Sequence, residues 1–135
     1  MAEDDRYRQG LRIRSEVLGA EHVARAQAEA GELERDFQAF ITRYVWGEIW
    51  SREGLTRRER RMLTLAMLIA RGQWDELAFH LRAALAGGLS AVEVREVILH
   101  AAVYCGVPAA HRAFKLLREI AAERERSASA AGSGS

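Results

Sequence analysis

The chain has 135 residues, of which 49% are hydrophobic and 29% charged, and its formal net charge is +1. This balance is typical of one globular domain rather than of a disordered chain.

The near-neutral charge gives no overall attraction to nucleic acid or to an anionic membrane, and no apolar run approaches the roughly 20 residues that span a bilayer. The charged N-terminus lacks the apolar core of a signal peptide, so we expect a soluble cytoplasmic protein with no nucleic-acid or membrane partner.

Helical periodicity runs through the chain, and the sequence shows no strand-like alternation of any length. Residues 4–30 predict one or two short polar helices, with a break near Leu18-Gly19. Apolar residues at helical spacing then predict a longer helix that begins near Glu32 and ends before Gly54.

A capping box marks the start of the next helix, because Glu59 follows Thr56 by three residues. The body of this helix is apolar nearly all round, and the helix is expected to end at Gly72. Another helix is predicted from about Trp74 to Ala86, where two glycines stop it.

Ser90 and Glu93 form a second capping box, which opens a helix through Tyr104 that again carries little polar surface. Two helices this apolar need cover, and a homo-oligomer would provide it. A last helix follows, and we expect the Ser-, Ala- and Gly-rich residues 127–135 to be a disordered tail. The predicted fold is an all-α bundle with a single domain over residues 1–126.

Glu76 and His80 lie one turn apart on the helix that begins near Trp74. The other residues on their side are small or neutral, so we expect a close neighbour to bury both. A carboxylate beside an imidazole raises the imidazole pKa and fixes which nitrogen carries the proton, as a general acid near neutral pH requires. The alternative is an ordinary exposed pair at this spacing.

The aromatic and basic residues before residue 62 leave two interpretations open. Trp46 and Trp50 could wall a small pocket or form an aromatic stripe in the core. The basic run at residues 57–61 is a solvated surface in the simplest interpretation, although Arg60 or Arg61 could be held inward by an anion.

Tyr104 and Cys105 place a phenol and a thiol at a helix end, where the lone cysteine is either a site residue or a small buried one. A single cysteine excludes an intramolecular disulfide and a Cys-x-x-Cys pair. Three histidines, His22, His100 and His111, are available as further metal ligands, but no regular spacing joins them. We therefore expect no metal site.

A set of short motifs is spread along the chain from about Gly10 to Ala121. In chain order they are Val17-Leu18-Gly19, His22-Val23, Phe37-Gln38, Tyr44 with Trp46-Gly47-Glu48-Ile49-Trp50, Glu76-Leu77 with His80, and Tyr104-Cys105-Gly106-Val107-Pro108-Ala109-Ala110. Together they resemble the carboxymuconolactone decarboxylase family. Related thiol-dependent peroxidases, similar to alkylhydroperoxidase D, carry Cys-x-x-Cys with a histidine four residues later. Gln73 and Glu76 stand at those two cysteine positions, which argues against a peroxidase.

The resemblance implies an alkylhydroperoxidase D-like helical fold that assembles as a homo-oligomer, a trimer or a hexamer. It implies decarboxylation, without a cofactor, of a small dicarboxylate lactone, 4-carboxymuconolactone (2-carboxy-5-oxo-2,5-dihydrofuran-2-acetate). The products would be 3-oxoadipate enol-lactone and CO2, in protocatechuate degradation by the β-ketoadipate pathway. The alternatives are a related enzyme acting on another lactone or acid, and a non-catalytic helical oligomer.

For this reaction we expect His80 to deliver a proton and Glu76 to orient the imidazole. Arg60 is the first candidate for holding the substrate dianion, with Arg25 and Arg52 behind it, and aromatic residues would shelter the departing carboxylate from water. The expected substrate-binding residues are Arg60, Trp46, His22, Tyr104 and Cys105.

Overall fold

The computed structural model describes residues 2–133, and every regular element among them is helical. The elements are α1 (Glu3–Leu18), α2 (Ala20–Glu29), a 3₁₀ turn (Glu32–Glu34), α3 (Arg35–Ile41), a π-helical segment (Thr42–Ile49), α4 (Arg57–Ala70), α5 (Trp74–Ala86), α6 (Ala91–Cys105) and α7 (Val107–Ser133). The predicted all-α fold is confirmed. Within the described residues, no helix is both long and apolar enough to cross a membrane.

Both predicted capping boxes are present. The backbone N–H of Glu59 donates to Thr56 Oγ1 at 3.1 Å, and the Thr56 N–H donates to Glu59 Oε1 at 2.8 Å. Ser90 and Glu93 make the same reciprocal pair at 3.0 and 3.1 Å. Because each pair satisfies N–H groups that a helix start leaves without a partner, the beginnings of α4 and α6 are set locally by sequence.

The described residues fall into two compact units, one ending at Arg60 and the other beginning at Arg61, whereas the sequence predicts one domain over residues 1–126. Each unit has its own core. In the first unit, Ile13, Val17 and Trp46 pack together. In the second unit, α4 to α7 surround a larger cluster, whose largest fully buried side chains are Leu65, Ile69, Leu77, Leu81, Ile98 and Ile120.

In the first unit, α1 lies directly against the π-helical segment. A Cβ on Gly10 would overlap the carbonyl oxygen of Thr42, and a Cβ on Gly47 would overlap that of Arg6. The sequence predicts a single helix from Glu32 to before Gly54, and the π-helical turns inside it were not predicted. In these wider turns the backbone bulges, and here the bulge meets the side of α1 where glycine leaves room.

In the second unit, α5 and α7 are joined by an ion pair at the surface. The Arg82 guanidinium donates to both carboxylate oxygens of Glu123, each at 3.0 Å. These hydrogen bonds hold the pKa of Glu123 below its usual value and raise the pKa of Arg82. The pair fixes one long edge of α5 against α7.

The last helix continues to Ser133, through most of the segment that is expected from its composition to be disordered. Residues 121–133 contain no proline and are rich in alanine, which has the highest helix propensity, so the helix has no reason to end at residue 127. Residues 134 and 135, the end of the expected tail, lie outside the described residues.

Candidate active site

Helix α5 carries the two residues for which the sequence predicts acid–base chemistry. Leu77, Leu81 and Leu85 are buried in the core of the second unit and set the rotation of the helix. Glu76 lies outside this buried face and is exposed, whereas His80 is half-buried. The expectation that both residues are buried is therefore wrong for Glu76, and His80 is buried only in part.

In the part of the chain that the structure describes, no hydrogen bond joins Glu76 to His80. The imidazole instead meets the ring of Phe79 edge to face, with 5.3 Å between the ring centroids. Residues one helical turn apart have Cβ atoms about 5–6 Å from each other, so a rotamer change would bring the carboxylate to the imidazole. The orientation of His80 by Glu76 stays a prediction.

A buried cation lies near the end of the same side of α5. Arg61 is 8% exposed, and its guanidinium is so close to Gly87 that a Cβ there would overlap it. Gly87 is seven residues beyond His80, about 10 Å along the helix axis. Arg60 and Arg61 are the two arginines for which the sequence leaves an inward position open, and Arg61 is the more buried of them. The one sequence feature that points to this burial is Gly87, which ends the row of small residues on this side of α5.

A cavity of about 710 Å³ lies between α4 and α6 in the second unit. Tyr104 and Cys105 line it, and the Tyr104 ring stacks on His100 with 5.2 Å between centroids and 19° between planes. Cys105 is exposed, so the interpretation of a small buried residue is wrong. Glu93 and Glu96 also line the cavity, and their charge would repel a dicarboxylate unless cations from elsewhere offset it.

Three of the predicted site residues belong to the first unit. Trp46 is only 5% exposed and stacks on Trp50 with 4.9 Å between centroids, which fits the aromatic-core interpretation better than a pocket wall. His22 is half-buried on α2. Arg60 is half-buried and donates from Nη2 to the Arg52 carbonyl at 3.3 Å.

The other four predicted residues, Glu76, His80, Tyr104 and Cys105, belong to the second unit. Of these, only Tyr104 and Cys105 line the cavity. His100 joins them there, although the sequence analysis considers it only as a metal ligand. Over residues 2–133, no three histidine, cysteine or acidic side chains come together as a metal-binding group. The predicted site is thus distributed over α2, the π-helical segment, α4, α5 and α6.

Comparison with known proteins gives consistent matches. The sequence model of the Carboxymuconolactone decarboxylase family matches residues 35–119. A 4-carboxymuconolactone decarboxylase from Acinetobacter baylyi is 45% identical over 120 residues, which cover 89% of this chain and 90% of that protein. A nitrosuccinic acid decarboxylase from Metarhizium robertsii is 43% identical over 102 residues, 76% of this chain and 71% of that protein.

A third relative, an uncharacterised 15.0 kDa protein from Paracoccus denitrificans, is 31% identical over 84 residues, 60% of this chain and 63% of that protein. The family match begins in α3 and ends in α7, so it includes the π-helical segment, α5 and the α4–α6 cavity. The chain therefore belongs to the carboxymuconolactone decarboxylase family, and its helical fold is the alkylhydroperoxidase D-like fold expected from the motifs.

Proposed function

We propose that this chain decarboxylates 4-carboxymuconolactone to 3-oxoadipate enol-lactone and CO2, a step of protocatechuate degradation in the β-ketoadipate pathway. The observation that carries the proposal is the 45% identity to a 4-carboxymuconolactone decarboxylase, which extends over nearly the full length of both chains. The reaction takes place in the cytoplasm, and the protein works as a homo-oligomer.

The chemistry of this substrate explains why the residues of the chain suffice. When the bond between the ring carbon and its carboxylate breaks, the electron pair passes through the ring double bond to the lactone carbonyl oxygen. The intermediate is an aromatic furan-olate, so the ring is its own electron sink. A proton delivered to the carbon next to the lactone carbonyl then gives the enol-lactone. The protein must bind the dianion, exclude water from the departing carboxylate and supply this proton.

His80 supplies the proton in this proposal, and Glu76 positions the imidazole from one turn away. The half-buried position of His80 supports this role, since it keeps part of the imidazole away from bulk water. Tyr104 and Cys105, which line the α4–α6 cavity, are the proposed wall of the lactone pocket, and His22 is a second-rank donor. The inward position of Arg61 supports a cation on the His80 side of α5, and Arg60 stays a candidate for holding the substrate dianion.

A second candidate reaction is favoured by the 43% identity to a nitrosuccinic acid decarboxylase. Nitrosuccinic acid and 4-carboxymuconolactone share a succinate skeleton. In both, the carbon next to an electron-accepting group bears one carboxylate directly and a second through a CH2 group. Loss of the first carboxylate sends electrons into a nitro group or an unsaturated lactone. A succinate with an electron sink on its second carbon is thus the substrate class of this site.

The proposed homo-oligomer, a trimer or a hexamer, is supported by apolar surface on α4 and α6. Val103 is 79% exposed in the single chain, and other large apolar side chains of the two helices are also exposed: Leu63, Met67, Leu99 and Tyr104. Patches of this kind on a monomer mark contact surfaces. Burying them against copies of the same chain would cover both helices.

The test follows 4-carboxymuconolactone by ultraviolet absorbance, with pure protein dialysed against a chelator and His80→Ala measured in parallel. We expect rapid loss of the lactone with the unmodified protein and at least a 100-fold slower loss with a folded His80→Ala protein. Activity on nitrosuccinate alone would favour the second candidate. A folded wild-type protein inactive on both compounds would contradict the decarboxylase proposal and favour the non-catalytic oligomer.

A further inference from the structure

Helix α3, in the first unit, carries an apolar stripe that faces solvent. The helix continues the 3₁₀ turn before it and runs into the π-helical segment after it, so residues 32–49 form one helical run. Four large apolar side chains follow each other at spacings of four, three and four residues, and all are exposed: Leu33 (100%), Phe37 (59%), Phe40 (54%) and Tyr44 (38%). We call these four residues the α3 stripe.

The members of the α3 stripe share one side of the helical run. At 3.6 residues per turn, their spacing places them within about 60° of one another around the helix axis. The rings of Phe40 and Tyr44 lie 5.2 Å apart, centroid to centroid, as expected for neighbours on one side. Exposed apolar side chains thus form a continuous row rather than scattered single residues.

The opposite side of α3 is covered by α1. Arg14, on α1, is 4% exposed, and its Nη1 donates to Gln38 Oε1 at 3.0 Å and to Thr42 Oγ1 at 3.3 Å. The Thr42 hydroxyl in turn donates to the Gln38 carbonyl at 2.8 Å. Gln38 and Thr42 lie about 150° around the helix from the centre of the α3 stripe. The contact with α1 therefore leaves the stripe uncovered.

The α3 stripe is large enough for a specific contact. A fully exposed aromatic side chain offers about 150–250 Å², so the exposed fractions amount to about 500 Å² on one copy and about 1,000 Å² on two. Specific protein interfaces begin near about 1,000 Å² of total buried surface. A contiguous apolar row of this size is typical of a surface that binds another protein.

The spacing of the α3 stripe is the same when it is read from either end. A two-fold axis between Phe37 and Phe40 sets Phe37 against Phe40 of the second copy, and Leu33 against Tyr44 of the second copy. Apolar residues at alternating spacings of three and four form the seam on which two helices pack. We propose that the α3 stripe binds the α3 stripe of a second copy, with the two helices antiparallel around this axis.

Charges beside the α3 stripe agree with the antiparallel orientation. Asp36 and Arg43 are seven residues apart and lie on the same flank of the stripe. Asp36 is exposed and has no ion pair among the described residues. Arg43 has Glu3 at 3.6 Å from its Nε and keeps 31% of its side chain exposed. The two-fold axis brings Asp36 of each copy beside Arg43 of the other, and flanking pairs of this kind fix the orientation of paired helices.

This contact is separate from the proposed contact on α4 and α6. A two-fold contact uses the same surface on both copies and joins chains in pairs. A trimer built on α4 and α6 alone would leave the α3 stripe of each chain exposed, whereas two trimers joined through their α3 stripes would cover all of them. The α3 pair therefore favours the hexamer. The choice of a hexamer rests on the proposed α4–α6 contact, but the α3 pair itself does not.

Sedimentation equilibrium tests the pair. Phe40→Glu places a carboxylate from each copy beside the two-fold axis, so we expect the mass to fall to half the wild-type value. Leu33→Glu should give the same result, and its fully exposed side chain has little packing within the chain to lose. Ala28→Glu, at an exposed position of α2, is the control and should keep the wild-type mass. A folded Phe40→Glu or Leu33→Glu protein at wild-type mass would overturn the proposal.

Disulfide cross-linking tests the orientation, in chains that carry Cys105→Ser to remove the native thiol. Leu33→Cys chains and affinity-tagged Tyr44→Cys chains are produced together and oxidised. We expect cross-links between the two kinds of chain. Cross-links between two Leu33→Cys chains should be absent, because the antiparallel pair holds those positions about 16 Å apart along the axis and a disulfide needs Cα atoms within about 7 Å.

Two other results would contradict the antiparallel pair. Efficient cross-links between two Leu33→Cys chains would show that the helices are parallel. A mass lowered by Phe40→Glu without any cross-link between the two kinds of chain would show that the α3 stripe binds a different surface of the second copy.

The two proposed contacts can fail independently. If Val103→Glu, on α6, keeps the wild-type mass and Phe40→Glu halves it, the α4–α6 contact is wrong and the α3 pair stands. If Val103→Glu lowers the mass and both variants of the α3 stripe keep it, the α3 pair is wrong and the α4–α6 contact stands. Neither measurement uses a substrate, so failure of the decarboxylase proposal would leave the result unchanged.

Discussion

The guanidinium of Arg61 rests on the backbone of Gly87, at a point where any Cβ would collide with it. The absence of a side chain at this glycine thus allows a cation to be buried at the end of the α5 side that also carries His80. The contact is local to the second unit and connects the first buried turn of α4 to the end of α5.

Gly87→Ala should therefore displace the Arg61 guanidinium. Because the flexible end of the Arg61 side chain can move aside, we expect only a small loss in the free energy of unfolding, together with a rise in KM. Gly54→Ala is the matched control, because a Cβ there meets nothing within 4 Å. Urea unfolding and steady-state kinetics measure both effects, and an equal KM for the two variants would contradict a role of this contact in substrate binding.

His80 and Glu76 should differ in how strongly they affect the rate. His80→Gln removes the proposed proton donor, so we expect kcat to fall by about 100- to 10,000-fold. Glu76→Gln only removes the group that positions it, and the expected loss is smaller. Asp75→Asn, also exposed on α5, is the control and should keep wild-type kcat. A larger effect of Glu76→Gln than of His80→Gln would reverse the two assigned roles.

Gly10→Ala should destabilise the first unit, although alanine is normally better than glycine inside a helix by about 1 kcal/mol. The added methyl group would meet the carbonyl oxygen of Thr42 and the backbone nitrogen of Gly47, and backbone atoms cannot move aside as a flexible side chain can. We expect a lower Tm than for Gly31→Ala, where the Cβ has open space. A rise in Tm for Gly10→Ala would contradict the direct contact between α1 and the π-helical segment.

The Arg82–Glu123 pair predicts a loss of stability in acid. Because the pKa of Glu123 is lowered in the folded state, its contribution is present above the unfolded value of about 4.3 and is lost as the pH falls through the folded value. Glu123→Gln should therefore have a lower Tm than the wild type at pH 7 and nearly the same Tm at pH 3. Glu119→Gln, exposed on the same helix, should follow the wild type at both pH values. A Tm gap for Glu123→Gln that persists at pH 3 would exclude this ion pair as its cause.

The proposed oligomer would bury the apolar surface of α4 and α6, so a charge at the most exposed aliphatic position of that surface should break it. We expect Val103→Glu to lower the mass found by sedimentation equilibrium toward that of a single 15.1 kDa chain. Arg118→Glu, a charge change at an exposed position of α7, should leave the mass unchanged. An unaltered mass for Val103→Glu would place the contact elsewhere.

The helices that begin with local signals were predictable. Two capping boxes, Thr56 with Glu59 and Ser90 with Glu93, bond the free N–H groups at the starts of α4 and α6. Gly19 adopts the positive φ that ends α1. These helix ends are therefore set by neighbouring residues and need no distant contact. The family motifs added the fold and the reaction, which periodicity alone does not reveal.

The remaining features depend on contacts between distant residues. The π-helical turns after Ile41 arise where the chain meets α1, and the sequence of either segment alone does not indicate them. Arg14 belongs to a helix that looks polar throughout, so its burial is evident only once α1 is placed against Gln38. Glu76 was expected to be covered and is exposed, because small neighbours permit close packing but do not require it.

The π-helical segment Thr42–Ile49 holds more chain per turn than an α-helix of the same length, because its hydrogen bonds span five residues instead of four. The segment thus contains more residues than an α-helix needs to span the same distance. A deletion of one residue between Thr42 and Ile49 could be absorbed as a change of helix type, without a gap in the chain. The bulge that contacts Gly10 would then be lost. The close approach of α1 therefore depends on the number of residues in this segment.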